Sequence, residues 1–429
     1  MRPLWLSIAL LSLAACGSKS GLQIPDHEPI DAGADGGIDA GAPDAGRDAG
    51  TDAGVDAGPD VPCVDAPFRG GPQSFELSFE ARITAADLVF LVDNTGSMGP
   101  LIMEIEDTLR SRLIPGLSAL VPNLQMAVAS YRDFGFFPFG SPADDPYELL
   151  QGSTADVDAL QRAVERMNAR GGGDEPESAV EALYQIATGE GLEGFVEPAS
   201  CAGDLRGGAC LRPDAVPIVL VFTDAPFHNG PTLGHTYADV RPPPHTFEQT
   251  IDALNAGGFR VLGMNVVGGF TGRPTREDLQ ATARATGAVS STGEPLVLDL
   301  GSDSGRPLVS RMVDAFELLV EDTRIDVDAV VEDADPGDGV DATRFVERVV
   351  PVSATPASGA RIESDRFVDV EPGTRVRFRL EVRNRFVRPA ARRQVFGLRM
   401  TLREDGVAPL RSRVFEVVVP AEGDRGCDP

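Results

Sequence analysis

The sequence predicts a doubly wound α/β domain, with a mostly parallel sheet and helices on both faces, followed by a small all-β sandwich domain. Two observations predict it. Between residues 84 and 323, short continuous apolar runs alternate with segments of helical periodicity. Strands buried on both faces and joined by crossover helices give that pattern. After Thr323 the period changes to two. Val376, Phe378, Leu380 and Val382 then share one face, and Arg375, Arg377, Arg379 and Glu381 the other, as in half-buried antiparallel strands.

The chain opens on Arg2, an apolar run over 4–13, and Leu13-Ala14-Ala15-Cys16. A basic start, a short apolar core and small residues describe a secretory signal, too short to span a bilayer as a helix. Leu-Ala-Ala-Cys resembles a bacterial lipobox, which implies a lipoprotein signal peptide over 1–15, cleavage before Cys16 and lipid on Cys16. The alternative is an ordinary signal peptide with an incidental cysteine. Gly17, rather than Asp, follows the cysteine, which by the same analogy implies a cell envelope location at the outer membrane of a Gram-negative bacterium. No other stretch is long and apolar enough to cross, so the lipid is expected to be the sole membrane contact.

Residues 16–62 read as a disordered tether. From Asp31 to Asp60 the chain repeats Asp-Ala-Gly-x, and small residues with charge of one sign cannot bury enough apolar surface to offset ordering entropy. As a flexible coil it would reach about 40 Å, and further if stretched by its own charge. The net charge of −28 argues against nucleic acid as a partner, since phosphate repels such a chain.

Residues 63–323 are expected to form the α/β domain. Strands are read at 87–92, 124–129, 216–222, 260–267 and 296–300; helices at 101–114, 157–167, 179–188, 246–256, 276–286 and 307–323. An inserted loop occupies 195–214. Residues 324–429 supply the sandwich, with strands at 326–331, 345–352, 375–383, 395–402 and 413–419 between Gly- and Pro-containing turns. Its arginines (Arg375, Arg377, Arg379, Arg383, Arg385, Arg388, Arg392 and Arg393) are the one basic concentration in the chain. They could make a weak contact with anionic glycans, or form a solvated strand face paired with local acids.

Five cysteines are present. With Cys16 assigned to lipid, four remain, in a compartment where disulfides persist. Three connectivities are open to them. Cys201 and Cys210 bracket a short polar loop and are expected to pair, which leaves Cys63 to pair with Cys427.

The most informative stretch is Asp93-Asn94-Thr95-Gly96-Ser97-Met98, which follows the buried run 87–92. A strand ending in Asp-x-Thr-x-Ser offers one carboxylate and two hydroxyls from a single turn. These are hard oxygen ligands of the kind Mg²⁺, Mn²⁺ or Ca²⁺ prefers, and Gly96 allows the sharp turn that brings them together. Ligands bind beyond the carboxyl ends of strands in open parallel sheets. A second buried run, 216–222, ends in Thr223-Asp224. Two carboxylates at neighbouring strand ends repel unless a cation sits between them. A third segment, Gly172-Gly173-Asp174-Glu175-Pro176-Glu177, leads into a helical pattern, where Pro and acids also suit a helix start.

Together these segments resemble the metal-ion-dependent adhesion site of von Willebrand factor A (VWA) domains, in the Asp-x-Thr-Gly-Ser-Met subgroup. The resemblance covers about 84 to 323. It implies that Thr95 and Ser97 coordinate a cation directly, with Asp93 and Asp224 acting directly or through water. Asp174-x-Pro176-Glu177 resembles the corresponding segment of A-like domains in integrin β subunits. That implies a contribution from Glu177 and a neighbouring second cation site involving Asp174. Asp133, after Tyr131-Arg132, is a further candidate for this face, or else a partner of Arg132 or a loop cap. The Thr that many A domains place on a third loop has no identified counterpart.

The function implied is a surface-tethered, divalent-cation-dependent protein-binding module, for adhesion or envelope scaffolding, that captures an acidic side chain of a partner. It is expected to be a binding protein and not an enzyme. Two alternatives stand beside it. One is a zinc-dependent enzyme using His228, His235 and His245, whose spacing matches no helical zinc motif. The other is a purely structural cation site in an envelope scaffold.

Overall fold

The computed structural model describes residues 61–267, 272–301, 308–424 and 426–427. All belong to one compact unit, Thr51–Pro429. Cys16 and the Asp-Ala-Gly repeat lie outside the described residues.

The described chain begins with two strands, β1 (Cys63–Asp65) and β2 (Gln73–Glu80), before β3 (Ala85–Asp93). Every residue of β3 is buried, as expected for a strand covered on both faces. Then follow α1 (Gly99–Thr108), α2 (Ile114–Leu120), β4 (Asn123–Tyr131), β5 (Glu148–Thr154), α3 (Val157–Val164), α4 (Ala179–Thr188) and β6 (Val216–Thr223). The series continues with α5 (Phe247–Ala256), β7 (Arg260–Val266), α6 (Gly272–Ala285), β8 (Val297–Leu300) and α7 (Leu308–Glu321). The helix read at 101–114 is longer than expected. It runs from α1 through a π-turn at Leu109–Leu113 into α2, where Pro115 supplies no N–H to the turn before it. Thr246 caps α5 in a reciprocal box with Gln249.

The six strands of this part lie in the order β5-β4-β3-β6-β7-β8. All neighbours are parallel except β5, which pairs antiparallel with β4. β5 is not foreseen from the sequence because Glu148–Thr154 shows neither a continuous apolar run nor clean alternation. The chain builds outward from β3 to β5, then returns to place β6 on the other side of β3. The carboxyl ends of β3 and β6 therefore flank the point where strand order reverses, the place where a parallel sheet opens a crevice.

The remaining strands are β9 (Ile325–Asp333), β10 (Val346–Thr355), β11 (Arg361–Glu363), β12 (Arg366–Val370), β13 (Arg375–Val382), β14 (Gln394–Glu404) and β15 (Ala408–Val419). They form one sheet ordered β1-β15-β14-β9-β12-β11 and another ordered β10-β13-β2. The expected starting boundary of the α/β part, at residue 63, is corrected by these pairings. β1 lies parallel to β15 and β2 antiparallel to β13, so 63–80 complete sheets built from the end of the chain, and the α/β part is inserted between them. The cause is visible in β2, where Phe75, Leu77 and Phe79 alternate with Ser74, Glu76, Ser78 and Glu80, the same period of two as β13. Phe75 of β2 meets Phe415 of β15 across the two sheets, with ring centroids 5.0 Å apart; Phe378 and Phe367 do likewise at 5.1 Å.

On β13, Val376, Phe378, Leu380 and Val382 are buried, and Arg375, Arg377 and Arg379 are exposed. Arg377 and Arg379 pair with Glu76, and Arg383 and Arg385 with Glu347. The hydrogen bond from Arg379 holds the Glu76 carboxyl below its ordinary range. Arg377, Arg379, Arg383 and Arg385 thus each have an acid of the three-stranded sheet as a partner.

Cys201 is bonded to Cys210, and Cys63 to Cys427 across a sequence separation of 364. The longer bridge fastens β1 to the end of the described chain, where the Cys427 N–H also donates to Asp65 Oδ1 at 2.9 Å. Closing so long a loop restricts the unfolded chain most, so replacing both Cys63 and Cys427 by Ser is expected to cost roughly 2–5 kcal/mol. Guanidinium unfolding of the double variant beside the oxidised parent measures this. A midpoint unchanged by the substitutions would refute it.

Candidate metal centre

Asp93 closes β3, and its carboxylate is fully buried. The Thr95 N–H and hydroxyl donate to Asp93 Oδ1 at 3.0 and 2.7 Å, and the Thr223 hydroxyl donates to Oδ2 at 2.8 Å. Asp224, the next residue after β6, accepts from the Ser97 hydroxyl at 3.0 Å. Thr95 therefore holds Asp93 within its own turn, and Ser97 reaches Asp224 across the switch point. Thr223, which the sequence marks only as a strand residue, ties the two strands together at the Asp93 carboxylate. Ser97 is exposed while Asp93, Thr95 and Asp224 are buried, so the cluster has one open side.

Glu177 reaches the same cleft, which holds about 510 Å³ and is lined by Thr95, Ser97, Gly172, Asp174, Glu177 and Asp224 among others. Its backbone is fixed on both sides. The Glu177 N–H donates to Pro226 O and the His228 N–H to Glu177 O, each at 2.9 Å, and the Ser178 N–H donates to Arg132 O at 3.0 Å. Buried Arg132 donates in turn to Asn94 O at 3.1 Å, bracing the Asp93 turn. Gly172 stands close to this side chain at φ +80°, and a Cβ there would lie 3.0 Å from Glu177 Oε1. Both the left-handed backbone and the close approach require glycine.

The electrostatics are those of crowded acids. Burial pushes the Asp93 carboxyl up to about 6; hydrogen bonds from Thr95 act against this, and the Asp224 charge adds to it. Glu177 is pushed well above the carboxylate range, first by burial and then by the charges of Asp93, Asp133, Asp174 and Asp144. Asp224 is raised by burial, against a lowering hydrogen bond from Ser97. Glu177 Oε2 is buried and has no hydrogen-bond partner, which natural interiors rarely leave without a ligand or water. A hard divalent cation fits this set. Three carboxylates would lose their repulsion to it, and each hydroxyl oxygen keeps acceptor capacity after donating its proton.

Asp174, which also lines this cleft, and Asp133 converge on His228. His228 Nε2 lies 3.1 Å from Asp174 Oδ2 and 3.4 Å from Asp133 Oδ2. Asp133 does not pair with Arg132, whose carboxylate neighbour is Asp144 at 3.9 Å. Instead Asp133 Oδ1 accepts from the Phe134 N–H and the Tyr237 hydroxyl at 2.6 and 2.7 Å. Burial raises its carboxyl well above the ordinary value. The three histidines go to different partners. His245 Nδ1 lies 2.9 Å from Glu181 and its ring stacks on Tyr184, while the His235 ring centroid is 6.2 Å from that of His228. Among the described residues no helix is long and apolar enough to cross a membrane.

No protein-family model matches the sequence, and no curated protein matches it. Among solved structures, the chain is similar to a von Willebrand factor type A protein from Catenulispora acidiphila, with a TM-score of 0.34 and 14% identity over 84% of this chain and 72% of that one. It is similar also to the pilus adhesin SpaC from Lactobacillus rhamnosus GG in its open conformation (TM-score 0.34, 12% identity, 83% of this chain and 46% of that one). A third is proximal thread matrix protein 1 from the mussel byssus (TM-score 0.33, 13% identity, 59% of this chain and 51% of that one). The chain spans less than two thirds of the latter two. At these scores the description of the fold rests on the strand order and pairing given above.

Proposed function

We propose that this chain is a divalent-cation-dependent protein-binding module of the VWA type, a doubly wound α/β domain carried on a β-sandwich. The observation that carries the reading is the meeting of Asp93 and Asp224 at the carboxyl ends of adjacent parallel strands, at the switch point, each hydrogen-bonded to a hydroxyl of the Asp93–Ser97 turn. In this reading Thr95 and Ser97 hold Mg²⁺, Mn²⁺ or Ca²⁺, with Asp93 and Asp224 acting directly or through water and Glu177 completing the set. When bound, the ion supplies an electrophilic position for a carboxylate oxygen of the partner. The protein's share is orientation. Thr223 and the Thr95 N–H fix Asp93, the Arg132 and Pro226 contacts fix the loops, and the exposed rim at Gly96 and Ser97 leaves room for an approaching acidic side chain. Cys16, if lipidated, and the acidic tether would hold this module at the outer membrane.

Calorimetric titration with Mg²⁺, Mn²⁺ and Ca²⁺ tests the reading. One site is expected in the parent, with affinity reduced at least roughly 100-fold in Asp93→Ala and in Thr95→Ala, since loss of a ligand should exceed the 10–100-fold cost of losing an outer-shell partner. Equal binding in all three proteins would overturn it.

A further inference from the structure

We propose that the open edge of the all-β part, between β2 and β15, is a binding groove for an anionic polysaccharide that carries sulfate or phosphate groups. β2 is the edge strand of the three-stranded sheet. On the facing sheet, β1 covers β15 only at Glu416–Val418, and among the described strands none covers that side of β15 before Glu416. The groove between the two edges holds about 360 Å³. Arg375 and Arg377 of β13 line it with Arg411 and Arg413 of β15, beside one acid, Glu80. Arg411 also lines a neighbouring cleft of about 580 Å³, which adds Arg399 and Arg403, so the basic trough runs on past the groove.

Four guanidiniums around one carboxylate repel one another, and an anion lying among them removes that repulsion. Arg377 shares Glu76 with Arg379. Arg375 and Arg413 have no ion pair among the described residues, although Glu80 stands opposite Arg375 in the strand register. Arg413 Nε is buried and has no hydrogen-bond partner, a donor that a bound acceptor would satisfy. Guanidinium forks match sulfate and phosphate oxygens two at a time. The hydroxyls of Ser78 and Ser412, which also line the groove, can exchange hydrogen bonds with sugar hydroxyls. Other anionic surfaces fit less well. Single-stranded nucleic acid stacks its bases on aromatic rings, and the ring that lines this groove, Phe79, is 4% exposed. A lipid surface takes apolar side chains into its boundary, and among the described residues no exposed large apolar side chain lines the groove. With a net charge of −28 on the chain, attraction of a polyanion is confined to this local patch.

The test is calorimetric titration of the full chain with heparin, a sulfated polysaccharide, and with phosphomannan. Chelator is present so that the Asp93 cluster takes no part, and salt is low. At least one of the two is expected to bind, more weakly as salt rises. Affinity should fall roughly 10-fold in Arg375→Ala and roughly 100-fold when Arg413→Gln is added, one charge-assisted contact being lost at each step. Arg375 is exposed, so its single variant carries the test if the double variant fails to fold. Arg385→Ala, outside the groove, should bind as the parent does. Failure of both polysaccharides to bind would overturn the proposal. So would affinity unchanged by Arg375→Ala, or an equal loss in Arg385→Ala, which would mean attraction by diffuse charge. Equally tight binding of single-stranded DNA, or of vesicles containing phosphatidylglycerol, would overturn it as well.

Discussion

Raising the pH from 4 to 7 in the presence of a chelator is expected to destabilise the folded protein, and the Asp93→Asn variant is expected to lose much of that pH dependence. The sign follows from the carboxyl at the end of β3. Its folded value lies at about 6 against an ordinary 3.8, raised mainly by burial, so the folded state holds a proton that the unfolded state releases near pH 4. The resulting stabilisation is complete below about pH 4 and is lost as pH rises through about 6. A gap of about two between the folded and unfolded values corresponds to about 3 kcal/mol. Glu177 and Asp224 are raised as well and act in the same direction. Divalent cation should reverse the trend, because it binds the deprotonated ligands and competes with protons. Denaturant midpoints at both pH values, with chelator and with excess Mg²⁺, decide the matter. Parallel pH slopes for parent and Asp93→Asn would show that Asp93 does not titrate in this way.

Arg260→Met is expected to cost about 3–5 kcal/mol, the usual penalty for removing one partner of a buried ion pair. Arg260 opens β7 in the parallel sheet, and Glu404 ends β14 in the six-stranded sheet of the all-β part. Both are buried. Arg260 Nε and Nη2 donate to Glu404 Oε1 at 2.8 and 2.5 Å, Nη1 donates to Thr286 O at 2.7 Å, and Asp405 is a further partner. Gly287 makes room for this guanidinium. It sits at φ +68°, and a Cβ there would lie 1.8 Å from Arg260 Nη1. In Arg260→Met the Glu404 carboxylate is left without its cation, so the second change Glu404→Leu should restore most of the loss. Unfolding followed by two probes, one in each part, also tests whether the pair couples them. A double variant no more stable than Arg260→Met would show that the cost lies elsewhere, in packing of the arginine stem.

Much of the architecture could be read because it is local. The runs ending at Asp93 and Thr223 are apolar on nearly every residue, so their burial on both faces follows from composition alone, and α4 begins and ends where its pattern does. The alternation on β13 names its buried face residue by residue. Other elements could not be placed in this way. β5 carries a weak pattern because an edge strand is only partly buried. β2 carries a clear one, yet period two says that a strand has one buried face and not which sheet will cover it.

By itself the sequence determined the strand ends, the carboxylate and hydroxyls of the Asp93–Ser97 turn, and the faces of the alternating strands, since each depends on residues within a few positions of one another. Only the tertiary structure decided the partners. Ser97 meets Asp224 across 127 positions, Glu404 meets Arg260 across 144, and His228 joins Asp133 and Asp174 while His245 turns away to Glu181. The sequence could name these ionisable residues but could not pair them. A buried charge takes whatever counter-charge the packing of whole sheets brings within a few ångströms, and no local period encodes that distance.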